Sequence, residues 1–136
     1  MKGKGAPWQL AALASVLLLA LTLRLAPWGT NRFLEDEALY SYWGLQIASG
    51  ADPMLDEEPV DKPPLHPYTL ALSFLLSGQA PEAGVESGVG AGHESAARLP
   101  SLLASMASIV LVYALALQLQ GDESTGLLAA LVLALS

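Results

Sequence analysis

The chain contains no cysteine, which excludes a disulfide framework, a thiolate metal site and a cysteine nucleophile. Its basic residues are few: six lysines and arginines among 136 residues, with no basic run. That sparsity argues against a nucleic-acid partner, since phosphate binding needs clustered positive charge. Histidines number two, His66 and His93, and their separation lacks the spacing of a metal site. A series of glycines at Gly84, Gly88, Gly90 and Gly92 has no strand pattern before it and is not a dinucleotide loop. Charge of any kind is scarce, at 14% of residues. Soluble domains carry about 25%.

Apolar residues fill the gap, at 53% of the chain, with a mean hydropathy of +0.46. Long stretches carry no charge, a pattern that points to the bilayer as the main solvent. The formal net charge of −7 is concentrated, because eight of the thirteen acids lie between Glu35 and Asp61. The acidity therefore belongs to one loop.

Residues 8–28 predict a first transmembrane helix, with Arg24 reaching to the interface beside Trp28 at its far end. A cleaved signal peptide is the competing reading, but no small-x-small site follows the apolar run. Residues 29–64 form a polar, acidic outer loop. Within it, residues 36–49 read as an amphipathic helix stopped by Gly50, with Leu39, Tyr42, Trp43 and Ile47 on one face. Such a helix is expected along the membrane interface, or against neighbouring protein helices. Residues 65–79 give a second apolar stretch, read as a span although short enough for a buried or re-entrant helix. Residues 80–97, rich in Gly, Ala and Glu, read as a flexible connection. Residues 99–117 lack any charge and predict the next span, and another apolar run begins near residue 124. The expectation is an all-α integral membrane protein, with three to four transmembrane helices of a longer bundle and the last one cut short. The positive-inside rule is almost silent, and Lys2 and Lys4 favour slightly an inside N-terminus, which places the acidic loop outside.

Two constellations carry candidate chemistry. The first is Glu35-Asp36-Glu37-Ala38-Leu39-Tyr40. Adjacent carboxylates suit a general base or a ligand for a divalent cation. Neighbours on a helix point about 100° apart, so Asp36 and Glu37 must have different jobs. Taken singly, acids at a helix start simply complement its positive end. The second is Asp61-Lys62-Pro63-Pro64-Leu65-His66-Pro67, where successive prolines hold Lys62 on a stiff segment at headgroup level. A cation there suits a lipid phosphate, though lysines also mark helix ends at interfaces. Arg98-Leu99-Pro100-Ser101 reads as a helix start with an interfacial anchor, and Asp56-Glu57-Glu58 as a solvated acidic run.

The order of these features is more specific than any one of them. It runs through one span, Asp36-Glu37-Ala38-x-Tyr40, Trp43-x-x-x-Ile47-x-x-Gly50, Lys62-Pro63-Pro64-Leu65, and Ala97-Arg98-Leu99-Pro100-Ser101. This order resembles the N-terminal region of the GT-C glycosyltransferases of the protein mannosyltransferase superfamily, which includes the lipid-A aminoarabinose transferase. The resemblance covers about residues 8–136 and implies a GT-C type polytopic helical bundle. It implies an enzyme that moves a sugar from a polyprenyl-phosphate donor to an extracytoplasmic acceptor, in a multi-pass protein of the plasma membrane. Asp36 would then be the catalytic carboxylate, Glu37 its support, and Lys62 a ligand of the carrier phosphate. It names no certain cofactor and leaves room for a divalent cation. The family's enzymes have many more transmembrane helices, so the chain is expected to be a fragment, inactive alone. A transporter or channel fragment with an acidic vestibule is the alternative; transporters often place charges within spans, whereas here they gather in one loop.

Overall fold

The computed structural model describes residues 7–26, 28, 34–57, 63–82, 89 and 92–136. Among these residues there are five helices and no strand: α1 (Pro7–Leu25), α2 (Glu35–Ser49), α3 (Leu65–Leu76), α4 (His93–Gln120) and α5 (Glu123–Leu135). The chain divides into two compact units, one of Met1–Thr30 with Leu102–Ser136 and one of Asn31–Ser101. Lys2, Lys4, Arg32, Asp61 and Lys62 lie outside the described residues.

The first unit holds α1, α5 and most of α4. Its buried centre is made of Ala20, Ile109, Ala130 and Ala134. Small side chains let helix backbones approach closely, which is how apolar helices gain contact without a hydrophobic drive between them. Gly126, one helical repeat before Ala130, continues that stripe: a Cβ there would lie 3.1 Å from the Tyr113 ring. Arg24 behaves differently from the outward reach expected of it. Its guanidinium donates to Ser105 Oγ at 2.6 Å and to the carbonyls of Ala134 at 3.0 Å and Leu133 at 3.2 Å. These bonds set α1 and α5 running in the same direction.

Two helices, Trp8–Leu25 and His93–Gln120, are long and apolar enough to cross a membrane. Only 11% and 6% of their apolar windows are buried. The core helix of a soluble protein would be mostly covered; here Leu10, Leu18, Leu103 and Leu111 all face outward. At the turn between α4 and α5, Asp122 caps α5 by accepting from Thr125 N–H at 2.9 Å and from its hydroxyl at 2.8 Å. The hydroxyl first, then the backbone N–H, holds the Asp122 carboxyl below its ordinary range.

The second unit is built on α2 against α3. Glu35, Asp36 and Glu37 occupy the first turn of α2, where negative charge meets the positive end of the dipole. Gly50 ends it in the left-handed conformation, donating to the Ile47 carbonyl. The buried face differs from the expected one. Ser41, Gly44 and Leu45 turn inward with Trp43, whereas Leu39 is exposed and Tyr42 and Ile47 are half-buried. Gly44 is the reason: without a side chain it admits Leu70 and Phe74 of α3.

Residues 65–79, read from sequence as a span, form a helix of only 12 residues. At 1.5 Å per residue that is about 18 Å, short of the ~30 Å hydrocarbon core. Pro67, Leu70, Ala71 and Phe74 are buried, with Phe74 and Leu70 joining Leu45, Ala96 and Ala97 in one cluster. Helix α4 starts at His93 rather than near residue 99, so Pro100 is interior and not in the first turn. Proline has no N–H, which leaves the Ala96 carbonyl four residues back without its helical donor. Ser73 of α3 supplies one, with its Oγ 2.6 Å from that carbonyl. Ser73→Ala therefore orphans a buried acceptor and is expected to cost about 1–3 kcal/mol. Pro100→Ala restores the backbone donor, so thermal unfolding of the double variant should recover most of the loss. Equal losses in the single and double variants would dissociate Ser73 from Pro100.

Candidate functional site

The described part of the acidic loop folds onto the start of α4 and encloses a cavity of about 250 Å³. Three helices contribute. From α2 come Asp36, Glu37, Tyr40 and Ser41; from α3, His66; from α4, Arg98. The helical repeat explains the first group, because residues 36, 37, 40 and 41 fall on one side of a helix. His66 is the second residue of α3, which follows Pro64 at its N-cap.

The two expected carboxylates occupy different environments. Glu37 Oε2 accepts from Arg98 Nη2 at 3.2 Å and from the Leu34 backbone N–H at 3.3 Å. The second bond satisfies one of the N–H groups left open at the helix start; Leu34 has no side-chain acceptor to do likewise. The ion pair is uneven in exposure: the Arg98 side chain is 19% accessible and that of Glu37 41%. Solvent at the Glu37 end limits its worth as a source of stability, so its main effect is to fix direction. Asp36 stands on the rim, exposed, and has no hydrogen-bond partner among the described residues.

His66 meets Tyr40 edge-on, with ring centroids 5.0 Å apart, and Tyr40 in turn meets Trp43 at 5.5 Å. The same His66 and Tyr40 also line a neighbouring cavity with Pro63, Leu65 and Thr69. The aromatic pair thus forms a wall shared by a charged cavity and a more apolar one. Behind it, the loop after α2 is held tightly. Asp52 accepts from the backbone N–H groups of Asp56 and Glu57, and the Tyr68 hydroxyl donates to the Pro53 carbonyl at 2.9 Å.

Of the residues predicted from sequence, Asp36 and Glu37 line the cavity, and Lys62 lies outside the described residues. Arg98, read as an interfacial anchor, instead pairs with Glu37, and His66, to which the sequence assigns no metal role, lines the same space. The signal for Tyr40 was present in its four-residue spacing from Asp36. No comparable signal existed for Arg98, which is 61 positions from Glu37. Among the described residues no group of three acid, histidine or cysteine donors could hold a metal ion. The arrangement offers an open carboxylate for a proton, a cation beside a second carboxylate, and an imidazole nearby. Compared with known proteins, the chain matches no family model, no curated protein and no solved structure.

Proposed function

We propose that the chain is part of a multi-pass plasma-membrane glycosyltransferase of the GT-C type, taking a sugar from a polyprenyl-phosphate donor to an extracytoplasmic acceptor. The observation that carries this reading is the cavity shared by Asp36, Glu37, His66 and Arg98. Two of the sequence segments whose order suggests the transferase, Asp36–Tyr40 and Ala97–Ser101, line one small space, together with His66 just past Lys62-Pro63-Pro64-Leu65. Membrane residence is supported by the outward-facing leucines of α1 and α4.

The chemistry proposed is a single displacement. The acceptor hydroxyl or amine attacks the anomeric carbon as the bond from that carbon to the phosphate oxygen breaks. The acceptor's proton passes to the Asp36 carboxylate. Both electrons of the broken bond leave with the polyprenyl phosphate, whose charge Lys62 stabilises. The anomeric centre inverts. Glu37, tied to Arg98 and to the start of α2, keeps the helix end in place beside Asp36.

Transfer measured with the full-length protein in membranes, from a labelled polyprenyl-phosphate sugar, tests the reading. Lys62→Ala should raise the KM for the carrier about tenfold or more, the effect of one lost charge-assisted contact. An unchanged KM would remove Lys62 from phosphate binding. Absence of any transfer by the unaltered protein from such donors would sink the transferase itself.

A further inference from the structure

The cavity beside α2 holds more polar groups than the proposed transfer step employs. Ser41 is the clearest. It is only 1% exposed, yet it lines the cavity, and its hydroxyl forms no hydrogen bond among the described residues. A serine inside a helix can return its hydroxyl to the carbonyl four residues back, as Ser15 and Ser108 do at 2.9 Å and 2.8 Å. Ser41 does not. A buried hydroxyl without a partner has lost the bonds water gave it, so one that faces a cavity marks a place for a ligand group. The Tyr40 hydroxyl and the His66 imidazole line the same cavity, and neither forms a hydrogen bond among the described residues. Their rings meet edge to face, which holds both without using their polar atoms. All of these residues lie in the unit of Asn31–Ser101.

Three features define what fits. The first is hydrogen-bonding character. Serine and tyrosine hydroxyls both donate and accept, and a neutral imidazole does one at each nitrogen. A sugar hydroxyl also does both, so a ring bearing several can satisfy all three groups. The second is size. At about 30 Å³ per water, 250 Å³ equals about eight water volumes, room for one sugar ring rather than two. The third is charge. Among the described lining residues, the Asp36 and Glu37 carboxylates outnumber the Arg98 guanidinium, which Glu37 already engages. A ligand carboxylate would meet like charge at close range, which costs binding. Asp36 stands exposed at the rim, where an acceptor arrives, and this leaves the interior to the ring whose anomeric carbon is attacked.

We propose that this cavity is a monosaccharide pocket that takes an uncharged hexose or pentose and rejects a uronic acid. The Ser41 and Tyr40 hydroxyls and the His66 imidazole hydrogen-bond the hydroxyls of the ring. Delivery of that sugar on a polyprenyl phosphate rests on the transferase reading; the match of the pocket to a sugar ring does not.

Binding in the absence of acceptor tests the pocket apart from catalysis. A radiolabelled polyprenyl-phosphate hexose is bound to the full-length protein in phosphatidylcholine–phosphatidylglycerol vesicles. It is displaced by the matching hexuronic acid donor, or by polyprenyl phosphate without sugar. The hexuronic acid donor should compete about tenfold or more weakly than the unlabelled hexose donor. Ser41→Ala and His66→Phe should each raise the Kd for the hexose donor about five- to tenfold, the effect of one lost neutral hydrogen bond. The Kd for sugar-free polyprenyl phosphate should stay unchanged. His66→Phe keeps a ring against Tyr40, and Ser41→Ala removes no hydrogen bond among the described residues, so thermal unfolding should not move in either. A hexose-donor Kd unchanged in both variants would overturn the pocket. So would equal competition by the hexuronic acid donor, or a parallel rise in the Kd for sugar-free polyprenyl phosphate, which makes the cavity a phosphate site. Sugar-dependent binding without any transfer sinks the transferase and leaves the pocket standing. Transfer with binding that ignores the sugar does the reverse.

Discussion

Asp36→Asn is expected to lower kcat for sugar transfer by about 10²- to 10⁴-fold, the usual contribution of a positioned general base. The substitution keeps the shape of the side chain and removes its ability to take a proton. Because Asp36 is exposed on the cavity rim and has no hydrogen-bond partner among the described residues, little stability depends on it. Its removal should shift stability by no more than about 0.5 kcal/mol, the range of ordinary surface changes. A large loss of rate without a loss of fold is therefore diagnostic. Glu37→Gln provides the contrast. It weakens the pairing with Arg98 and the bond to the Leu34 N–H, so its effect on rate should be smaller and should track misplacement of the start of α2. Near-normal turnover in Asp36→Asn would end its candidacy as the base, and equal losses in the two variants would argue that the pair acts structurally.

The largest expected effect on folding comes from Gly44→Val. A Cβ at this position would stand 2.8 Å from Leu70 Cβ, 3.2 Å from the Phe74 ring and 3.3 Å from the Ala71 backbone nitrogen. A ring edge can turn away, but Leu70 Cβ and Ala71 N move only with the α3 backbone. The two helices must separate, and the cluster of Leu45, Leu70 and Phe74 opens with them. Overpacking of a tight core costs about 1–3 kcal/mol, and valine adds two further methyl groups to that clash. Against a typical domain stability of 5–15 kcal/mol this is a severe loss. Amide hydrogen exchange in detergent micelles should show lost protection through Glu35–Ser49 and Leu65–Leu76, with α1 and α5 unchanged. Retained protection in α2 would mean the helices do not meet at Gly44. Since α2 carries Asp36 and α3 carries His66, transfer should fall together with protection.

The candidate site was half legible before its geometry was known. Asp36 and Glu37 stand out because three acids at a helix start beside an apolar span are visible in a few letters of sequence. Tyr40 follows from the helical repeat. Local sequence marks Arg98 as the anchor of a helix start and gives His66 no role beyond lacking the spacing of a metal ligand. What draws them into the cavity is the packing of α3 and the start of α4 on α2, which no local pattern encodes. Pro100 shows the same limit. Proline is usually a helix-start signal, and here the helix begins seven residues earlier because a serine on another helix satisfies the carbonyl that proline leaves open.

By itself the sequence determined the helical class of the described residues, the two runs long enough to cross a membrane, the stop at Gly50 and the separation of an acidic loop from apolar stretches. Each of these depends on composition or on a repeat of a few residues, and such short-range chemistry does not need a fold to be expressed. Tertiary structure alone decided which face of α2 is buried, that α3 is a short packed helix with a spare apolar side, and where three polar groups find partners. Those partners are 23 positions away for Ser73, 61 for Arg98 and 110 for Arg24 with Ala134. A buried carbonyl or a charge must be satisfied by whatever the fold brings within about 3 Å, and that distance is set by packing rather than by neighbours in the chain.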